Sequence, residues 1–236
     1  MKKILCIQLG ITMLFTACET KKEMSNESSQ HIAQCLMAKD YKYEDLLTKE
    51  DIAKHVEIDE ATFKFEISPV KGEYGSCSYE WKSDRPDTQM ELLGQMIPVK
   101  DNNRVTLKML SFYTDSELKL YNQATASDLF DQSYKKLSQQ EYESLLANLH
   151  KEYANDAAGF DQAKGFLDAR MKLTYQPIEN LGSGAYYSWH EEHGIKLAVL
   201  AESAHFIIES KTSGNSKTAL QDAVHFAKEV LAKCAT

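Results

Sequence analysis

The chain has 236 residues, 43% of them hydrophobic, with 35 acidic against 27 basic residues and a formal net charge of −8. That length and apolar fraction suit one domain with its own core, and ten Gly and four Pro leave no room for a long low-complexity linker. An acidic surface repels phosphate backbones, so nucleic acid is excluded as the expected partner.

Lys2 and Lys3 open the chain and precede the apolar run Ile4 to Phe15, interrupted by Gln8, Gly10 and Thr12. A bilayer-spanning helix needs roughly 20 apolar residues, so this run is too short for a permanent span. Basic start, short apolar middle and small-residue exit predict a signal peptide over residues 1–17. The exit, Leu14-Phe15-Thr16-Ala17-Cys18, resembles the lipobox of bacterial lipoproteins. The resemblance implies diacylglycerol on the Cys18 thiol, cleavage after Ala17 and acylation of the new amino terminus, hence a palmitate-type anchor in the cell membrane. The alternative is an ordinary secretory peptide with a chance cysteine. Losing Lys2 and Lys3 with the signal takes the net charge to −10. Glu19 follows the cysteine where Asp would imply retention, so similarity to enterobacterial sorting implies the outer membrane. Residues 18–29 carry too little apolar surface to offset the entropy of ordering, which predicts a lipidated cysteine on a polar, solvated tether.

Residues 30–236 read as a single domain. Ile32, Cys35 and Leu36 share one face of a helix over Gln30 to Lys39. Thr48 is placed to cap the next helix, with Asp51 reaching back to it. Phe63, Phe65 and Ile67 alternate inward along a strand over Thr62 to Ser68, and Cys77, Tyr79 and Trp81 do so over Ser76 to Lys82, predicting a hairpin. Val105 to Tyr113 is a third strand. A helix runs from Ser127 or Asp128 to Leu137, and Ser138 with Glu141 forms a capping box for another carrying Leu145, Leu149 and Tyr153. Phe160 to Met171 repeats the helical period after a break at Gly159. Short strands follow at Thr174 to Ile178, Ala185 to Trp189, Ile195 to Ala201 and Ala204 to Glu209. The closing helix, Lys217 to Cys234, aligns Leu220, Ala223, Val224, Ala227, Val230, Leu231 and Cys234. Tight turns between strands imply antiparallel pairing, so the expected fold class is α+β: an antiparallel sheet with helices packed on one face.

Cys6 leaves with the signal and Cys18 takes lipid, leaving Cys35, Cys77 and Cys234. Three thiols in an oxidising compartment predict one disulfide and one spare. All three sit on apolar faces, so Cys35–Cys77 and Cys35–Cys234 both stay open; a bridge needs Cα atoms within about 7 Å, which only the fold supplies. Zinc-type Cys/His spacings are absent, and no structural metal is expected.

The order of elements carries a further resemblance. An early "LLTKEDI" helix and a "C-x-Y-x-W" strand come first, then "IENLGSGAYYSW", the paired strands "IKLAVLAESAHFIIES" and a C-terminal Ala-rich helix. Together these resemble PsbP-like α+β lipoproteins, including uncharacterised actinobacterial lipoprotein families, over most of Tyr43 to Thr236. The resemblance implies a PsbP-like fold, and through the early cysteine and the "C-x-Y-x-W" cysteine it implies Cys35–Cys77 as the disulfide.

Chemistry-bearing patterns are few. His190-Glu191-Glu192-His193 gathers two imidazoles and two carboxylates that could hold a divalent ion. The zinc-protease pattern needs histidines at i and i+4 on a helix, whereas these are at i and i+3 in a strand connection, where polar residues need no function. Ser133 to Lys136 and Lys211 to Gly214 echo two boxes of penicillin-recognising enzymes, but the second holds an extra Ser213 and no box lies between. Ser213 to Thr218 lacks the second glycine of a phosphate loop, and the G-x-S-x-G elbow is missing. Tyr186, Tyr187 and Trp189, beside Tyr79 and Trp81, either line a ligand groove or are core and cross-strand pairs. No catalytic or cofactor-binding residue is assigned. The expectation is a membrane-anchored, non-catalytic binding or interaction module of the cell envelope. It would meet the bilayer through Cys18 and a protein or small-molecule partner through its domain. The alternatives are a hydrolase or metal-dependent enzyme using His190 and His193, and an acidic immunity-type protein neutralising a basic toxin.

Overall fold

The computed structural model describes residues 24–235, with the exception of Leu93; the expected signal peptide, Cys18 and the first part of the expected tether lie outside the described residues. Helix α1 (Met24–Ala38) starts earlier than the pattern at Ile32 implies, so the polar segment is helical from Met24 and the tether's last six residues belong to α1. Its second half meets the core through Ile32, Ala33, Cys35 and Leu36. Two short helices follow, α2 (Tyr43–Leu46) and α3 (Lys49–Ala53). The expected Thr48–Asp51 capping box starts α3: the Asp51 N–H donates to Thr48 Oγ1 at 3.2 Å, and the Thr48 N–H donates to the Asp51 carboxylate at 3.1 Å.

Strands β1 (Lys64–Ile67) and β2 (Ser76–Trp81) form the predicted antiparallel hairpin, with Phe65 opposite Tyr79 and Ile67 opposite Cys77. Phe65 and Ile67 share the face of Tyr79 and Cys77, as the alternation implies. They are nonetheless exposed, because β1 is the sheet edge and no helix extends over it. A separate two-stranded hairpin, β3 (Thr88–Leu92) and β4 (Gln95–Val99), lies between β2 and β5 (Asn103–Phe112). Four helices follow: α4 (Asp115–Leu120), α5 (Ala126–Tyr134), α6 (Gln139–Glu152) and α7 (Ala157–Met171). Gly159 does not break α7, since Asp156 caps the helix by accepting the Gly159 N–H. The chain then runs through the meander β6 (Gln176–Pro177), β7 (Gly184–His190), β8 (Gly194–Ala201) and β9 (Ala204–Lys211), and ends in α8 (Ser216–Ala232).

The main sheet has seven strands in the order β1-β2-β5-β9-β8-β7-β6, every neighbouring pair antiparallel. This is the expected α+β class. Period-2 alternation divides the sheet into two faces. Trp81, Val105, Leu107, Leu197, Val199, Phe206 and Ile208 meet α1, α2, α3 and α8 in the main core, where Phe226 of α8 is fully buried. Helix α5 lies on the opposite face, setting Phe130 and Tyr134 against Ala198, Leu200 and Ile207. Helices therefore cover parts of both faces, because β8 and β9 carry apolar side chains at successive positions and would otherwise expose half of them. Away from α5 this second face is polar, with Ser78 hydrogen-bonded to Thr106 at 2.9 Å and Lys108 paired with Glu209 at 2.6 Å.

Cys35 and Cys234 are joined, with Cα atoms 5.5 Å apart, and Cys77 is a buried free thiol. The Cys35–Cys77 pairing implied by the family resemblance is thus corrected to Cys35–Cys234. The reason is topological: α1 and α8 share one face of the sheet, and the end of α8 returns to α1, while Cys77 points from β2 into the centre of the core. A charged clasp lies beside the bridge, where buried Asp51 accepts from Lys54 at 2.9 Å and Lys233 at 2.8 Å. Lys54 also reaches Glu229 at 2.8 Å, tying α3 to α8. Despite its burial, those partners hold the Asp51 carboxyl far below the usual carboxylate range.

Candidate functional site

A cleft of about 450 Å³ opens on the second face where β5, β9, α4 and α5 meet, and its residues come from five separate parts of the chain. The first is the turn before β2, which supplies Glu73 and Tyr74. The second is an irregularity in β5: pairing with β9 shifts register between Lys108 and Ser111, and Met109 adopts a left-handed backbone with φ 56°. A bulge of this kind re-aims side chains and is common beside functional sites. It turns both Met109 and Ser111 to the cleft. Buried Tyr43 holds the bulge from the other side, its hydroxyl accepting the Leu110 N–H at 3.1 Å and donating to the Gly72 carbonyl at 3.0 Å. Gly75 permits that approach, because a Cβ there would stand 2.8 Å from the Tyr43 ring.

The third part is α4, whose capping box fixes Glu117 by accepting the Thr114 N–H at 2.8 Å. The fourth and fifth are α5 and β9, which bring Tyr134 and His205 to the wall. His205 is only 8% exposed and stacks on Tyr113 with ring centroids 4.7 Å apart. Its Nδ1 is buried without a hydrogen-bond partner. Leaving a buried polar atom unpaired costs about 1–3 kcal/mol, so native proteins rarely do it without a use. Burial lowers the His205 pKa below its ordinary 6.5, outweighing the opposing pull of Glu73 and Glu117, so the ring is neutral at pH 7. Burial likewise pushes the Tyr134 phenol up to about 12, so it stays protonated.

The two serine hydroxyls of the cleft are already hydrogen-bonded. Ser111 donates to Glu73 at 3.0 Å and Ser133 to the Leu129 carbonyl at 3.5 Å. His205 makes no hydrogen bond with either serine, so the cleft holds no serine–histidine pair. The arrangement is one that holds a ligand: polar groups fixed by the fold, aromatic walls and an unspent imidazole.

The sequence patterns fall elsewhere. His190 ends β7, and Glu191 to His193 form the turn into β8. Gly194 is required after that turn, since at φ 80° a Cβ would stand 2.3 Å from the Ser210 carbonyl oxygen. His190, Glu192 and His193 bring donor atoms within 4.8 Å of one another, and all three are exposed. The two imidazoles stack at 4.9 Å with no buried group behind them to orient either ring. Lys211 is paired with Asp101 at 2.7 Å, inside a network with Arg85, and so is not a free catalytic lysine. The aromatics do not form one groove: Tyr79, Trp81, Tyr187 and Trp189 belong to the main core, whereas Tyr186 lies on the other face against Phe130 and donates to Asp131 at 2.9 Å.

Sequence reasoning missed His205. Its signal was present in "AHFIIES", where apolar residues at successive positions mark a strand buried on both faces and make a histidine within it anomalous. No family model, curated protein or solved structure matches the chain.

Proposed function

We propose that this chain is a membrane-anchored lipoprotein whose domain acts as a non-catalytic binding module in the cell envelope, with the His205 cleft as its binding site. The observation that carries the reading is the buried imidazole, unpartnered at Nδ1, in the wall of a cleft whose serines make no hydrogen bond to it. Anchoring at Cys18, placement at the outer membrane and kinship with PsbP-like lipoproteins rest on the amino-terminal pattern and the order of elements. Among the described residues no helix is long and apolar enough to cross a membrane, which agrees with a peripheral attachment. The test is a fragment screen by NMR, using neutral, anionic and cationic compounds, on the wild type and on His205→Phe. The reading expects hits that shift Tyr113, Ser111 and Met109 and vanish in the variant. Hits scattered over the surface, unchanged by the substitution, would refute it.

A second reading, metal binding at the β7–β8 turn, is favoured by the proximity of the His190, Glu192 and His193 donors. Zinc titration of the wild type against His190→Ala/His193→Ala separates it from the first. Bound zinc lost in the double variant supports it, and equal, weak uptake by both proteins removes it.

A further inference from the structure

We propose that the ligand of the His205 cleft is a small organic ammonium ion, a protonated amine held between Glu73 and Glu117 and seated against tyrosine rings. This deepens the binding-module reading and rests on it. Three observations point to the charge type and size.

First, Glu73 and Glu117 are the charged residues of the lining, and neither a lysine nor an arginine contributes to it. Both carboxylates are fixed by the fold, Glu117 by the Thr114 cap and Glu73 by the hydrogen bond from Ser111. An anion entering there would meet two negative charges with no cation to offset them, and a neutral molecule would desolvate them without compensation.

Second, the uncharged part of the wall is aromatic and soft. Tyr74, Tyr113, Tyr121, Tyr134 and Met109 surround the opening, with Tyr74 and Tyr121 70% and 54% exposed. Tyrosine faces attract an organic cation through their quadrupoles, and the attraction grows as water is excluded. Exposed tyrosines over a cleft also present ring surface that a rigid core would have buried.

Third, a metal ion does not fit. The one cluster of His, Cys, Asp or Glu donors within mutual reach of a single ion, among the described residues, is the turn at His190. Glu73, Glu117 and His205 do not form such a cluster, and about 450 Å³ is the scale of a small molecule. His205, 8% exposed and without a hydrogen-bond partner at Nδ1, completes the wall as an uncharged ring that adds no positive charge to repel an ammonium ion.

Isothermal titration and NMR of the full chain in detergent, with benzylamine, benzyl alcohol and benzoate as probes, test the proposal. The three share a ring and differ in charge. Benzylamine should bind at the cleft and the other two should not. Glu73→Gln/Glu117→Gln keeps the cap and the Ser111 hydrogen bond, so it should fold with unchanged melting temperature and lose about tenfold or more in benzylamine affinity. Benzyl alcohol or benzoate binding there as well as benzylamine would overturn the cation assignment and leave the cleft a binding site. Undiminished benzylamine binding by the double variant would also overturn it. Failure of all three probes, with no fragment found at the cleft, would remove the site and the assignment together.

Discussion

The Tyr43 hydroxyl accepts the Leu110 N–H at 3.1 Å, so a residue of α2 holds open the bulge that shapes the cleft on the far face of the sheet. Tyr43 is 2% exposed, and burial raises its phenol to about 12, so the group remains a neutral donor and acceptor at any physiological pH. Tyr43→Phe leaves the Leu110 N–H buried and unpaired, which should cost about 1–3 kcal/mol in urea unfolding. The same variant should loosen the cleft, seen as faster hydrogen exchange at Leu110 and Ser111. Gly75→Ala should act in the same direction, by forcing the ring away.

The bridge between Cys35 and Cys234 closes almost the whole domain, with a sequence separation of 199. Its removal by Cys35→Ser/Cys234→Ser should destabilise the fold by about 2–5 kcal/mol. Peptide mapping without reduction should yield a Cys35–Cys234 peptide. Burial pushes the Cys77 thiol up to about 12, so it should resist alkylation until the protein unfolds. A Cys35–Cys77 peptide would contradict the topology given above.

The hairpin of β1 and β2, the capping of α3 and α6 and the meander of the carboxy-terminal half were legible in the sequence, because alternation and Ser/Thr-x-x-Asp/Glu spacing are local signals. The disulfide was not, since the distance between Cys35 and Cys234 is set by how α1 and α8 cross the sheet. The hairpin of β3 and β4 escaped the pattern because Pro98 and flanking polar residues hide a strand that is not buried on either side. The cleft was invisible for a similar reason. Glu73, Met109, Glu117 and His205 become neighbours only through the β5 bulge and the fold of α4 over it, and a bulge at Met109 leaves no glycine to announce it.

Membrane attachment has a simple test in Cys18→Ser. Without acyl chains the domain should leave the membrane fraction and appear in the soluble fraction with unchanged circular dichroism and melting temperature. A variant that still sediments with the envelope would show that Cys18 is not the anchor.

Acid should weaken the fold in two separate steps. His205 titrates below its ordinary 6.5 in the native state, so the unfolded chain binds the extra proton first, and stability falls as pH drops below about 6.5. Asp51 is lowered instead by Lys233, Lys54 and Thr48; its contribution is present above about 4 and is lost only at lower pH. Urea unfolding at a series of pH values should therefore show an upper step absent from His205→Phe and a lower step reduced in Asp51→Asn, where Asp101 and Glu229, also lowered by their partners, still contribute.

The most direct measure of the central claim is the stability of His205→Phe at pH 7. Phenylalanine keeps the stack against Tyr113 and removes the unpaired Nδ1, so a histidine retained for a ligand should be a cost to the fold. Chemical unfolding should give a variant as stable as the wild type or more so, with cleft-directed fragment binding abolished. A loss above about 1.5 kcal/mol, with fragment binding intact, would contradict the claim and mean that His205 serves the core and is not part of the binding site.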